Sequence, residues 1–194
     1  MCGILGTIPS TDNSKFKIAL DTLYHRGPDG YGVKNLGDSI SLGHRRLSIV
    51  DLSSKGRQPM SDITSRYTLT FNGEIYNFIE IRKELIKKGY SFLSQSDTEV
   101  LLYSYIEWGA NCVNKFNGMW AFAIWDSLKA ELFLSRDRFG KKPLFYAVVN
   151  GKFIFASEMK AIYPFLRSVR PLSLIHISEP TRRTPISYAV FCLK

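Results

Sequence analysis

The sequence predicts an antiparallel α+β fold, two stacked sheets with helices on the outside. Three observations carry this reading. Strand-like segments open the chain, two capped helical segments follow one another in the middle, and hairpin-forming strands come after them. Strands and helices segregate instead of alternating, which argues against a parallel βαβ plan. Many strands with few helices then call for two sheets packed on each other.

The elements follow in order. Residues 4–8 alternate apolar side chains with Gly and Thr and read as a strand, and residues 14–23 suit a short helix. His25-Arg26-Gly27-Pro28-Asp29-Gly30 reads as a loop with tight turns. Residues 40–46 and 67–72 read as strands, the second placing Tyr67, Leu69 and Phe71 on one face. Asn77 with Glu80 suggests a capping box that starts a helix over 78–88, stopped by Gly89. Ser96 with Glu99 suggests a second box, opening a helix over 97–108 that Gly109 ends. Residues 119–125, 131–135, 144–149 and 153–156 read as strands, joined in pairs by turns at Asp126-Ser127 and Asn150-Gly151.

Composition narrows the function classes. A chain of 194 residues suits one domain, and 45% hydrophobic with 22% charged residues is ordinary for a globular protein, so disorder is not the default. No apolar run approaches a membrane span, and no basic region precedes the short apolar stretch at the N-terminus, so the expectation is a cytoplasmic protein without a signal peptide. The formal charge of +9 raises nucleic acid as a partner, but the basic pairs Arg45-Arg46, Lys87-Lys88 and Lys141-Lys142 are scattered, which reads as a solvated basic surface. Cys2, Cys112 and Cys192, with His25, His44 and His176, lack the spacing of a disulfide framework or a metal site, so no metal is expected.

The end of the chain reads differently. Residues 172–182 resemble the translation of a transposase-type sequencing-library adapter, and residues 186–194 resemble the flow-cell end of the same adapter in the same frame. Arg183, Thr184 and Pro185 fall where a variable index would sit. The expected division is therefore a domain over 2–170 and a non-native tail over 171–194. Arg182, Arg183 and Lys194 against Glu179 lie in that tail, so the charge of the remainder falls to +7.

The chemistry starts at Cys2. With Met1 removed, Cys2 bears a free α-amine, whose pKa of about 7.7–8.0 suits a general base, while a modest local field would favour the thiolate. One residue then supplies nucleophile and base together. Asn72-Gly73-Glu74 ends a strand; the Asn72 amide and the Gly73 N–H suit an oxyanion hole, or the pair forms an Asn-Gly turn. Arg46 suits a bidentate grip on a carboxylate, or a surface cation. Asp97 lies in the first turn of a capped helix, where the dipole favours an ionised carboxylate; it suits an ammonium, or completes the cap. Together these parts suit an α-amino-acid amide.

The motifs Met1-Cys2-Gly3-Ile4, His25-Arg26-Gly27-Pro28-Asp29, Gly43-His44-Arg45-Arg46-Leu47-Ser48-Ile49-Val50-Asp51 and Asn72-Gly73-Glu74-Ile75-Tyr76-Asn77 stand in this order. Ser96-Asp97-Thr98-Glu99, Arg136-Asp137-Arg138-Phe139-Gly140-Lys141-Lys142-Pro143-Leu144 and Phe155-Ala156-Ser157-Glu158 complete the series. The set resembles the glutaminase domain of glutamine-hydrolysing asparagine synthetases, a class II amidotransferase domain of the N-terminal-nucleophile type. The resemblance implies a four-layer α/β/β/α sandwich and L-glutamine as substrate. It implies Cys2 as nucleophile, and Asn72 and Gly73 as oxyanion hole. Arg46 would hold the substrate carboxylate, with Leu47, Ser48, Ile49 and Val50 lining the site, and Glu74 and Asp97 would meet the substrate amine. Ammonia would pass to a synthetase domain, absent from this sequence, that amidates aspartate with ATP and Mg; the glutaminase part itself needs no cofactor. A homodimer is compatible with this picture. Two other readings are an inactive fragment that only binds partners, and an amidotransferase with another acceptor. Lys141 stands where many relatives carry an apolar residue.

Overall fold

The computed structural model describes residues 1–49, 53–166 and, as backbone, 191–193. Val50 and residues 171–190 and 194 lie outside the described residues, and with them most of the segment read as a foreign tail. One sheet has the order β2-β3-β1-β9-β8, with β1 Gly3–Ile8, β2 Gly30–Leu36, β3 Ile40–Arg46, β8 Phe145–Val149 and β9 Lys152–Ala156. The other runs β10-β7-β6-β5-β4, with β4 Met60–Ser61, β5 Tyr67–Ile75, β6 Gly118–Asp126, β7 Glu131–Arg136 and β10 Phe191–Leu193. All pairings are antiparallel. Helix α1 spans Asn13–Asp21, α2 Phe78–Lys87 and α3 Asp97–Trp108.

Three apolar clusters make the layers. Leu5, Phe16, Leu20, Leu23, Ile154 and Phe165 join α1 to the first sheet. Ile4, Leu42, Ala123, Trp125, Leu134 and Phe155 fill the space between the sheets. Leu69, Phe71, Leu85, Leu101, Phe122 and Phe133 join the second sheet to α2 and α3. The order is helix, sheet, sheet, helices, the predicted four-layer sandwich.

Strand alternation then decides where functional side chains go. Ile40 and Leu42 face the inter-sheet layer, so His44 and Arg46 share that face. Leu69 and Phe71 face the helices, which turns Thr70 and Asn72 inward; the Thr70 hydroxyl donates to the Gly43 carbonyl across the layer at 3.1 Å. Cys2 continues the face of Ile4 just ahead of β1. Residues distant in sequence thus meet where the inter-sheet layer opens at one end.

Some local expectations need correction. Asn77 does not cap α2: its Nδ2 donates to the Lys115 carbonyl at 2.9 Å and its Oδ1 accepts from Asn117 N–H at 2.9 Å, tying the helix start to a neighbouring loop. Ser96 does cap α3, accepting from Thr98 N–H at 3.0 Å, but Glu99 does not return the bond. Its carboxylate holds the Leu93 and Ser94 N–H groups at 2.9 and 2.7 Å. Strand β2 is not among the predicted strands: it is an edge strand exposed on alternate residues, with no apolar face to show. Asn150 and Gly151, with φ of 51° and 73°, form the two-residue hairpin turn that Asn-Gly predicts.

Candidate active site

Cys2 is held by partners from both ends of the domain. Ile4 N–H donates to Ser157 Oγ and Ser157 N–H to the Ile4 carbonyl, both at 2.9 Å, which fixes the start of β1. Arg26 is buried; its Nε donates to the Cys2 carbonyl at 2.9 Å and its Nη1 to Glu158 at 2.8 Å. Burial would raise the Glu158 pKa, but hydrogen bonds from Arg26, His25 and Lys160 bring it down to about 2. Gly27 is required because a Cβ there would lie 2.4 Å from the Arg45 backbone. The His-Arg-Gly-Pro-Asp and Ala-Ser-Glu motifs therefore form one bracket around the N-terminus.

The end of β3 supplies the second wall. Arg45 turns away from the site, pairing with Asp21 and facing the rings of Tyr24 and Tyr31. Arg46 turns toward it, half-buried, with Nη1 donating to the Ser53 carbonyl at 3.0 Å. Leu47 N–H lies 3.4 Å from the Cys2 sulfur, and Ser48 N–H donates to Asp29 at 2.8 Å. Ile49 is exposed.

The third wall is β5, where Asn72 and Gly73 lie inside the strand and form no turn. The Asn72 side chain is buried, and among the described residues its Nδ2 has no hydrogen-bond partner. A Cβ on Gly73 would lie 2.4 Å from the Met119 carbonyl oxygen. Strand β5 is paired with β6 along its whole length, but β4 reaches only Thr68 and Leu69 on the other edge. In an antiparallel strand alternate residues send N–H and C=O to the same edge. Tyr67 sends its carbonyl to Asp62 N–H on the β4 side, so 69, 71, 73 and 75 share that side. Phe71 N–H meets Gln58 Oε1 at 2.6 Å, and Ile75 N–H meets Asp97 Oδ2 at 3.0 Å. Gly73 N–H stands between them on the open edge.

One cavity of about 280 Å³ is lined by Cys2, Arg46, Leu47, Ser48, Ile49, Asn72, Gly73, Glu74 and Asp97, every predicted site residue within the described part of the chain. Met1, His44, Gln58, Thr98 and Lys142 line it too. A family model for the glutamine amidotransferase domain matches residues 1–180. The chain belongs to the glutamine amidotransferase domain family. Asparagine synthetase [glutamine-hydrolyzing] 3 of Bacillus subtilis is 44% identical over 169 residues, 84% of this chain and 27% of that protein. A putative asparagine synthetase [glutamine-hydrolyzing] 2 of Methanocaldococcus jannaschii is 41% identical over 184 residues, 84% of this chain and 35% of that protein. The chain thus spans about a quarter to a third of the length of these relatives. The glutamine phosphoribosylpyrophosphate amidotransferase structure from B. subtilis superposes with a TM-score of 0.70 at 22% identity, over 84% of this chain and 43% of that one, and shows the same fold.

Electrostatics in this amidotransferase domain correct one expectation and qualify another. The Cys2 thiol is not held as a thiolate: burial raises its pKa, outweighing the Leu47 N–H, the terminal amine, Arg46 and Lys142, which lower it. Asp97 remains a carboxylate at neutral pH, as expected, but burial, with Glu74 nearby, raises its pKa to about 6 against the Ile75 and Thr98 N–H groups. Burial wins because both groups line the cavity largely out of water, where lost hydration outweighs partial charges.

Sequence reasoning missed His44, Gln58 and Lys142 as site residues. His44 is fully buried, which holds its pKa down to about 3 and keeps it neutral. Lys142 is clamped at its backbone, N–H to Asp137 at 2.9 Å and carbonyl to Arg136 Nε at 2.8 Å, and burial with Arg26 nearby lowers its pKa. The signal for His44 and Lys142 was their place inside quoted motifs; for Gln58 there was none. Lys141 is exposed. Among the described residues no cluster of three or more His, Cys, Asp or Glu is suited to a metal ion, and no helix is long and apolar enough to cross a membrane.

Proposed function

We propose that this domain hydrolyses L-glutamine to L-glutamate and ammonia through a thioester on Cys2. The observation that carries the reading is the single cavity uniting a half-buried thiol, an unpartnered buried amide donor at Asn72, a cation at Arg46 and a carboxylate at Asp97. A substrate with a carboxylate, an ammonium and an amide carbonyl complements all of them. Because burial keeps the thiol protonated, a base is needed, and removal of Met1 would supply the Cys2 amine within the same residue. The amine takes the thiol proton as sulfur attacks the amide carbon. Asn72 Nδ2 and Gly73 N–H hold the oxyanion, and the proton passes to the departing nitrogen as the C–N bond breaks. Water then attacks the thioester, giving a proton to the amine; the C–S bond breaks, the amine returns that proton to the Cys2 sulfur, and glutamate leaves. On the likeness to asparagine synthetases, the ammonia serves amidation of aspartate in a synthetase domain that would bring its own ATP and Mg. Intact-mass analysis paired with a glutamine hydrolysis assay tests this: active protein should lack Met1, and activity in protein retaining Met1 would overturn the mechanism.

Two consequences concern substrate binding. Arg46→Lys keeps the charge but loses the planar fork. The expected loss is about 1–3 kcal/mol, a rise in KM for glutamine of roughly 5- to 150-fold; an unchanged KM would remove Arg46 from carboxylate binding. With the Asp97 pKa at about 6, its charge is lost as pH falls through that value, so KM should rise below it. Stability moves the other way. The folded pKa lies above the ordinary 3.8, so the native state binds the extra proton and gains stability as pH falls from about 6 toward 4. Asp97→Asn should flatten both trends, which KM-versus-pH and melting-versus-pH series would show.

A further inference from the structure

The open edge of β5 needs support, because the peptides that would aim at an oxyanion have no strand beside them. Two side chains take the place of that strand at Phe71. Gln58 Oε1 accepts the Phe71 N–H at 2.6 Å, and His44 Nε2 lies 3.1 Å from the Phe71 carbonyl. A carbonyl only accepts, so the neutral His44 carries its proton on Nε2 and donates it. Both residues are buried, and both come from other parts of the chain, His44 from β3 and Gln58 from the segment before β4. Gln58 also donates from Nε2 to Thr98 Oγ1 at 3.2 Å. Thr98 adjoins Asp97, whose carboxylate holds the Ile75 N–H at 3.0 Å. The stretch 71–75 is thus gripped at each end by side chains, and between the grips lie Asn72 Nδ2, without a partner among the described residues, and the Gly73 N–H on the open edge.

We propose that Gln58 and His44 are positioning residues for the oxyanion: by holding both polar groups of the Phe71 peptide, they set the aim of Asn72 and Gly73 toward the carbon attacked by Cys2. The inference rests on the glutaminase reading. Gln58 suits this place because its neutral amide offers an acceptor to the Phe71 N–H and a donor to the Thr98 hydroxyl without burying a charge. His44 must be neutral because an imidazolium here would be an unpaired buried charge.

The test compares Gln58→Leu, His44→Leu and His44→Gln with the full wild-type chain. Three probes are used: glutamine turnover, inhibition by the γ-aldehyde analogue of glutamine, and alkylation of Cys2 by iodoacetamide. The aldehyde forms a tetrahedral adduct that uses the oxyanion donors, whereas alkylation at a methylene carbon does not. A misaimed donor costs part of the roughly 100- to 1,000-fold that losing one donor costs. Gln58→Leu and His44→Leu should therefore lower kcat and aldehyde affinity together by about 10- to 100-fold. KM and the alkylation rate should stay within about threefold, as expected for an interaction made only in the transition state. His44→Gln keeps a donor for the Phe71 carbonyl and should recover most of the loss. Equal falls in alkylation and aldehyde affinity would mean a merely structural role and overturn the proposal, as would unchanged kcat. If the wild-type chain turns over no glutamine, the functional reading fails by itself. The ¹⁵N-labelled Gly73 amide resonance then decides the positioning claim: it should shift in both Leu variants and return toward wild type in His44→Gln, and an unmoved resonance would refute it.

Discussion

Cys2→Ala should reduce glutamine hydrolysis to below about 10⁻⁴ of the wild-type rate, because no other group in the cavity is placed to replace a lost nucleophile. Folding should be nearly untouched. The side chain is only partly buried, and its sulfur hydrogen-bonds the Leu47 backbone, at 3.4 Å from N and 3.6 Å from O. A melting temperature within about 2 °C of wild type is expected. Cys112→Ala should show the opposite pattern. Cys112 is fully buried among Leu101, Phe116 and other residues of the helix-side core, and burial pushes its thiol up to about 12, too high to act as a nucleophile at neutral pH. Its removal should cost about 1 kcal/mol of stability and leave turnover unchanged. A thermal melt and a glutaminase assay on the two variants check both statements; loss of activity with Cys112 rather than Cys2 would sink the assignment.

Asn72→Ala should separate function from stability more sharply still. The Asn72 Nδ2 is buried without a partner in the free protein, so deleting it removes an unsatisfied donor instead of breaking a bond. Such a donor costs about 1–3 kcal/mol. The variant should therefore be as stable as wild type or more so, the lost donor offsetting the small cavity left behind. The same deletion should lower kcat by roughly 100- to 1,000-fold, the effect of removing one oxyanion donor, with little change in KM. A variant both slower and markedly less stable would mean that Asn72 is a structural residue. Stabilisation with lost turnover would show that the domain maintains this unpaired donor for the reaction.

The residues that gather around the cavity were legible in the sequence because they stand in short motifs, whose proposed roles come from the resemblance of the whole set. A Cys at position two beside a glycine, an Asn-Gly pair at a strand, an Arg at the end of another strand and an Asp after a capping Ser can each be picked out locally, although each alone also reads as a turn, a cap or a surface group. The helices over α2 and α3 and the Asn150-Gly151 hairpin were legible for the same reason, since their signals lie within a few residues. Strand β2 left no such trace, because an edge strand exposed on alternate residues has no buried face to impose a pattern.

What only the tertiary structure decided was environment and support. The Cys2 thiol and the Asp97 carboxylate titrate as they do because sheets from distant parts of the chain remove their water, and that burial overrides the helix start and the nearby cations. Arg26 finds its carboxylate partner at Glu158, 132 residues away, and so fixes the carbonyl of the nucleophile. Gln58 and His44 acquire their place because β4 ends early and leaves one edge of β5 without a strand. A local motif can state which groups take part in a reaction. Which of them keep a proton, and which backbone donors stay unpaired and aimed, depends on burial and strand pairing across the whole fold.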